Sequence, residues 1–469
     1  MVRWQYLINF ALLGGLIMAT AAGGAVAAQG LQIYDANHWY WSYKGKPVLL
    51  LGGSDEDNLF NNPEMMMDNF DKLVRCGGNY IRGTLSWRDE GNVPPFERVG
   101  DKYDLRRFNP EFWRRVEACC REAQKRGIII QFEVWATFDY YRDNWEKSPW
   151  NPANNVNYTT ENTHLVPKWD FHPASRRQPF FYSPPKLNND RLVLQFQQAF
   201  VRKLLDVTLP FDNVLYCLDN ETRAPAEWAL YWGQFMRDEA RKRGATIHVT
   251  EMWDPWNLHD PEHAITYEHP EVFDFCDVSQ NNWQSGQTHY DRLLWYRDTV
   301  SKQAGGPRPI NNVKIYGWIA QRRQIDRVEN VERFWRNIFA GCASARFHRP
   351  GHGLGISDLA QQTIRAARNF TDAFDLFTCV PAPDLLSDRK PNEAYCLAKP
   401  GEVYAVYFPT GGDVSLSMGP LAGHQVSVRW FDPRKASFAE AQTVKAGDTL
   451  RLKSPSQGET WLVLVTPAK

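Results

Sequence analysis

The chain has 469 residues, with 54 basic and 54 acidic side chains and therefore no formal net charge. No long basic run occurs, which argues against nucleic acid as a partner. Aromatic residues make up 14% of the chain, 19 of them Trp; ring faces pack on sugars as well as in cores, so the surplus leans towards carbohydrate.

Residues 1–28 read as an export signal, with Arg3 as its charge, an apolar core over 7–18 and Ala25-Val26-Ala27 as an A-x-A cleavage site. The apolar stretch is short for a membrane span. The mature chain is therefore expected to be secreted or periplasmic, free of the membrane after signal cleavage, and monomeric. None of the eight cysteines forms a C-x-x-C pair, and Asp55-Glu56-Asp57 lacks the spacing of an EF-type calcium loop. No metal and no cofactor are expected. Cys379 and Cys396 flank a domain junction and could pair in an oxidising compartment.

From residue 32 the pattern alternates. A leading hairpin runs into a first strand over 46–52, and Asn62-Pro63-Glu64 opens a helix closed by Gly77. A second strand over 79–85 follows. Asn109-Pro110-Glu111 opens the next helix, which stops at Gly127 and leads to a third strand over 128–134. Regular pattern then vanishes over 135–189, a length that marks a functional insertion. Helix 190–207 leads to the apolar run 214–218, which ends abruptly in Asp219-Asn220-Glu221. Helix 226–243, then strands at 246–250 and 273–279, helix 290–304, strand 312–316, helix 328–339, strand 343–347 and helix 357–377 complete the series. Eight strands alternating with helices predict a (β/α)8 TIM barrel over residues 29–383. After Pro383 the period changes to two: 403–408, 414–418, 425–430, 449–452 and 460–465 predict a small antiparallel β-sandwich over 384–469.

Barrel enzymes draw reacting groups from the C-terminal ends of the strands. The candidates there are Asp55, Glu56 and Asp57, Arg82, Glu133 and Asp139, Asn220 and Glu221, Glu251 and Asp254, 280–282, Lys314 and Tyr316, and Arg346 and His348. Glycoside hydrolysis needs two carboxyl groups, one of them a proton donor. Glu221 is the expected acid, with Asn220 beside it to hold a sugar hydroxyl. Glu251, at the same level on the next strand, is the expected partner, with Asp55, Asp57, Glu133 and Asp254 as alternatives. Arg82, Asp55, Glu133, Trp253, Trp283, Arg346 and His348 are expected to contact substrate. Trp145, Trp150 and Trp169 in the long loop would either stack sugars or pin the loop to the barrel. Asn157-Tyr-Thr and Asn369-Phe-Thr fit glycosylation acceptors.

The Asn220-Glu221 pair at the fourth strand resembles the acid/base motif of the large clan of (β/α)8 glycoside hydrolases. Segments 403–411 (VYAVYFPTG), 428–434 (VRWFDPR) and 460–465 (TWLVLV) are similar to the small sandwich named for collagen binding, which commonly follows apiosidase-like barrels. The resemblance implies an exported glycosidase acting on plant or microbial polysaccharide. It also places the clan's nucleophile at the end of the seventh strand, where this chain carries Lys314, so that role cannot be carried over. The expectation is an exported glycoside hydrolase. The alternatives are a catalytically silent carbohydrate-binding barrel and a non-glycosidase barrel such as a lyase.

Overall fold

The computed structural model describes residues 30–172 and 177–468; the signal segment 1–28 lies outside the described residues. Eight parallel strands close a barrel: β1 (Leu50–Gly53), β2 (Tyr80–Thr84), β3 (Ile129–Trp135), β4 (Val214–Asp219), β5 (Val249–Thr250), β6 (Cys276–Asp277), β7 (Ile310–Asn311) and β8 (Ser344–Phe347). Six of them form one sheet in the order β5-β4-β3-β2-β1-β8, and β6 pairs with β7. Backbone bonds close the ring, from Asp274 N–H to Val249 (2.9 Å) and from Ala343 N–H to Ile310 (2.8 Å). Every residue of β3 is buried, as a strand covered by the barrel interior on one face and helices on the other requires.

Besides a short helix in the long loop, Arg142–Lys147, the helices are α1 (Pro63–Arg75), α2 (Pro110–Lys125), α3 (Arg191–Thr208), α4 (Ala226–Lys242), α5 (Glu262–Glu268), α6 (Gly286–Ser301), α7 (Arg327–Phe339) and α8 (Asp358–Thr371). The two Asn-Pro-Glu signatures work as the sequence suggests. Asn62 accepts from Met65 N–H and Asn109 from Glu111 N–H, satisfying first-turn donors that a helix leaves open. Among the described residues no helix is long and apolar enough to cross a membrane.

The sequence pattern misplaces several elements. It omits α5 and a hairpin, Phe96–Val99 with Lys102–Phe108, between β2 and α2. It runs the last helix to 377, whereas α8 ends at Thr371 and Asp375 caps a separate turn, Leu376–Thr378. The seventh strand pairs with β6 at Ile310–Asn311, ahead of the expected 312–316, because side chains take the next amides: Ser279 Oγ accepts from Val313 N–H (2.8 Å) and Asn312 Oδ1 from Lys314 N–H (3.1 Å); the expected stretch still pairs with β8, where Ile315 bridges Phe347.

In the long loop, Trp145 and Trp150 are fully buried against the barrel wall, so these rings pin the loop and do not reach a sugar. All eight cysteines, Cys379 and Cys396 included, are buried free thiols. Neither sequon presents a free amide: Asn157 Nδ2 donates to Asp104 (2.8 Å) and Asn369 Nδ2 to the Ala436 carbonyl (2.9 Å).

The C-terminal strands are β9 (Tyr395–Lys399), β10 (Val403–Phe408), β11 (Asp413–Ser417), β12 (Gln425–Asp432), β13 (Gln442–Lys445), β14 (Thr449–Lys453) and β15 (Trp461–Pro467). Strands β9-β10-β15-β12-β13 form the main sheet, and β11 and β14 belong to a smaller one. The main sheet is buried on both faces. Val406, Val426 and Val463 meet the second sheet, while Tyr395, Tyr407, Phe431 and Leu462 join the core of the barrel.

Candidate active site

A cavity of about 440 Å3 opens at the C-terminal mouth of the barrel, and the ends of all eight strands contribute to its wall. This is where a barrel of this kind places its chemistry. Glu221 and Asn220 both line it. Successive side chains of a strand point to opposite faces, so neighbours do not ordinarily share a wall. Here the alternation is broken, because Glu221 adopts φ +61. A non-glycine residue in that region costs free energy and persists where its surroundings hold it. Thr137 Oγ1, fully buried, donates to the Asn220 carbonyl and holds the turn. Beyond it, β4 and β5 stay paired through Thr222 N–H to Met252 (3.0 Å) and Asp254 N–H to Thr222 (2.8 Å).

Two groups converge on the Glu221 carboxylate. The Lys314 ammonium pairs with Glu221 Oε1 and donates to Asn220 Oδ1 (2.7 Å), and the Tyr316 hydroxyl donates to the same Glu221 oxygen (2.7 Å). Burial is the largest influence and would raise the Glu221 carboxyl, but the Lys314 charge, the hydrogen bonds from Lys314 and Tyr316 and the Arg82 charge together outweigh it and hold the group lowered, at about 2. Glu221 is therefore an anion at every ordinary pH. That corrects the expectation that it is the proton donor: it can act as nucleophile, base or charge stabiliser.

The expected partner fails for a different reason. Glu251 is fully buried and does not line the cavity. Its Oε1 accepts from Asp219 N–H and Met252 N–H (both 2.9 Å), so it latches β5 onto the backbone of β4. Burial and the adjacent Asp219 carboxyl push its proton affinity far up, which keeps it neutral. Asp219, in turn, accepts from Trp228 Nε1 (2.8 Å).

Asp254, just after β5, does not line the cavity, but it is the remaining carboxyl on which the Glu221 charge acts. Burial and the Glu221 charge raise it to about 6, against the opposing pull of Arg223, whose Nε lies 3.3 Å away. The pair Glu221–Asp254 thus has proton affinities driven apart, the division that acid–base work on two carboxyls requires.

Of the expected substrate contacts, Asn220, Arg82 and His348 line the cavity. Arg82 forms the floor, held bidentately by Glu133 (2.6 Å twice) and by Asp57 (2.6 Å). Glu133 lies beneath it with both oxygens occupied, and so supports the floor without touching the cavity. His348 is kept neutral by burial. Four other expected contacts are structural. Asp55 accepts from Ile356 N–H (2.9 Å) and ties down the loop after β8. Arg346 is spent on the Val313 carbonyl (2.6 Å) and Ser54 inside the barrel. Trp253 Nε1 donates to Thr266 (2.8 Å), packing β5 against α5. Trp283 is exposed outside the cavity, its N–H on the Trp256 carbonyl (3.0 Å).

Besides Tyr316, His348 and His352, the rings that do line the cavity are Phe138, Trp256 and Trp318. Trp256 was within reach of the sequence, three residues after Trp253, but nothing in W-D-P-W says which ring faces inward. Gln280 and Asn282 also line the cavity, with Gln280 Nε2 and Asn282 Oδ1 buried behind its surface and without a protein partner. Among the described residues no group of three or more His, Cys, Asp or Glu side chains is arranged to hold a metal.

Residues 380–466 match the family model described as "Putative collagen-binding domain of a collagenase". No curated protein matches the chain. Among solved structures it is similar to a glycoside hydrolase at 12% identity and a TM-score of 0.63, covering 94% of this chain and 97% of that one. It is similar to the same degree to a glycoside hydrolase family 5 protein from Bacteroides vulgatus, with 94% and 93% covered. The fold is that of these barrels. At such identity the likeness speaks for the architecture, and the chemistry has to be argued from the cavity.

Proposed function

We propose that this chain is an exported glycoside hydrolase in which Glu221 and Asp254 share the reaction. The observation that carries the reading is Glu221 at the cavity wall, paired with Lys314 and bonded by the Tyr316 hydroxyl; the raised proton affinity of Asp254, which burial and the Glu221 charge cause, supports a division of roles. Asp254 gives its proton to the leaving glycosidic oxygen as the C–O bond breaks. Glu221 meets the developing positive charge at the anomeric carbon, by direct attack or through a water, and Asp254 is reprotonated when water completes hydrolysis. Trp256, Trp318 and Phe138 supply faces for sugar rings.

Plant or microbial polysaccharide as substrate, the apiosidase-like affiliation and export by residues 1–28 belong to this proposal. The test uses aryl glycosides of graded leaving ability. Asp254→Asn should lose activity on poor leaving groups and keep it on activated ones, which need no acid; Glu221→Gln should lose both. Equal losses on both substrate types in Asp254→Asn would remove it from the acid role. The reading of a binding-only barrel draws on one observation: the two carboxyls that line the cavity, Asp57 and Glu221, are both tied up in ion pairs. Oligosaccharide binding by the unmodified chain with no turnover of any glycoside tried would favour it.

A further inference from the structure

The C-terminal sandwich does not hang loosely from the barrel. Tyr407 on β10 stacks on Trp335 of α7 (centroids 5.7 Å, planes 26° apart), and Tyr395 on β9 lies against Tyr290 of α6 (4.4 Å). A large apolar seam of this kind suppresses relative motion of two modules.

Beside the seam runs a chain of polar contacts that starts in the sandwich and ends in the cavity. Asn392, just before β9, accepts at Oδ1 from the Tyr395 hydroxyl (2.6 Å) and from Arg336 (3.1 Å). Arg336 pairs with Glu329 and with Glu332 (2.7 Å). The same Glu329 oxygen accepts from Arg333 Nε (2.9 Å). The fork of Arg333 then holds three backbone carbonyls: Tyr316 (3.1 Å), Trp318 (2.7 Å) and Gln284 (2.9 Å). Tyr316 carries the hydroxyl that donates to Glu221, and Trp318 is one of the cavity rings. Arg333, Arg336 and Glu329 are all buried.

We propose that the sandwich is a working part of the cleft: through Asn392, Arg336, Glu329 and Arg333 it fixes the segment between β7 and α7, and with it the Tyr316 hydroxyl on Glu221 and the Trp318 ring at the wall. Arg333 is the positioning residue. The segment has little ladder of its own, two residues against two at Trp318–Ile319 and Gln324–Ile325, so its place is set by single bonds to its neighbours, Gly317 N–H to His352 and Ala320 N–H to Asn282 among them, and by the fork that holds its carbonyls. In a buried chain of charged hydrogen bonds, removing one member leaves the next unpaired, and the segment least tied elsewhere gives way. A planar guanidinium spans three carbonyls where an ammonium does not.

Hydrogen exchange on the full-length chain tests this without requiring any activity. In Asn392→Ala the amides of Gly317, Ala320 and Asp326, all bonded in the folded chain, should exchange faster by about tenfold or more, because local opening becomes easier. Arg333→Met should do the same more strongly, and Arg333→Lys should fall between it and the parent. Loosening confined to residues around 392 and α7, with those three amides unchanged, overturns the proposal. A second arm rests on the glycosidase reading. The acid limb of the pH–rate profile should move up in Asn392→Ala, and combining it with Tyr316→Phe should add less than the two separate shifts. Full additivity would contradict the relay even where exchange changes. A chain that turns over no glycoside leaves the exchange arm intact.

Discussion

Two carboxyl clusters sit two residues apart at the end of β4, and they behave in opposite ways. Glu221 faces a cavity, carries a positive φ and is met by an ammonium and a phenol, so it stays charged. Asp219 and Glu251 are sealed between strands with no cation, and the proton affinity of Glu251 rises until it is neutral. Burial acts on both. The neighbours decide the outcome: at Glu221 the Lys314 charge and the hydrogen bonds beside it together outweigh desolvation, whereas at Glu251 a second carboxyl adds to it. A carboxylate at a strand end is therefore a functional candidate only when its oxygens are not already spent on backbone amides.

The widest gap between the clusters should appear in turnover. Glu221→Gln is expected to lower kcat by about a thousandfold, within the range for a positioned acid or base, while oligosaccharide affinity by calorimetry stays near that of the parent. Glu251→Gln should keep most activity; a loss as deep as that of Glu221→Gln would collapse the distinction between the two sites.

Stability sharpens the contrast next. Glu133→Gln leaves the buried Arg82 short of a charge it was built around, and should cost about 3–5 kcal/mol in denaturant unfolding. Glu251→Gln replaces a neutral acid by a neutral amide of the same shape, and should cost about 1 kcal/mol or less.

The pH dependence has a sign that can be worked out in advance. Asp254 is raised to about 6 and must hold its proton to act, so kcat/KM should fall by about tenfold per pH unit above that value and stay flat below it until Glu221 titrates. Glu221 is lowered to about 2, so its contribution to stability is present above the ordinary carboxylate range and is lost as pH falls through about 2. The smallest effect expected is a displacement rather than a loss: Lys314→Met removes the charge that lowers Glu221, and the acid limb should move upwards. An unmoved limb would mean that Lys314 does not set the ionisation of Glu221.

Much of the frame was legible because its signals are local. Asn-Pro-Glu at 62–64 and 109–111 states a cap, a first-turn proline and an acidic residue in consecutive positions, and both helices begin there. The period-two pattern at 403–408 reproduces β10 residue for residue. The wall from β5 to β7 was harder, since each strand contributes two paired residues and side chains such as Ser279 and Asn312 complete the bonding. Of the site, Asn220 and Glu221 stood out because an apolar run ends in them. Their chemistry did not: Lys314 lies 93 residues away in the chain, and no spacing reveals that it closes on Glu221. Glu251 misled for the complementary reason, as its bond to the Asp219 amide spans 32 residues. Trp253 and Trp256 differ only in which way the loop after β5 turns.

Carboxyl 13C titration of the full-length chain, with Glu221→Gln and Asp254→Asn used to assign the two signals, tests the central claim most directly. The account predicts that the signal missing in Glu221→Gln titrates near 2 and the one missing in Asp254→Asn near 6. Titration of both groups in the ordinary range near 4, or with Glu221 above Asp254, would contradict it.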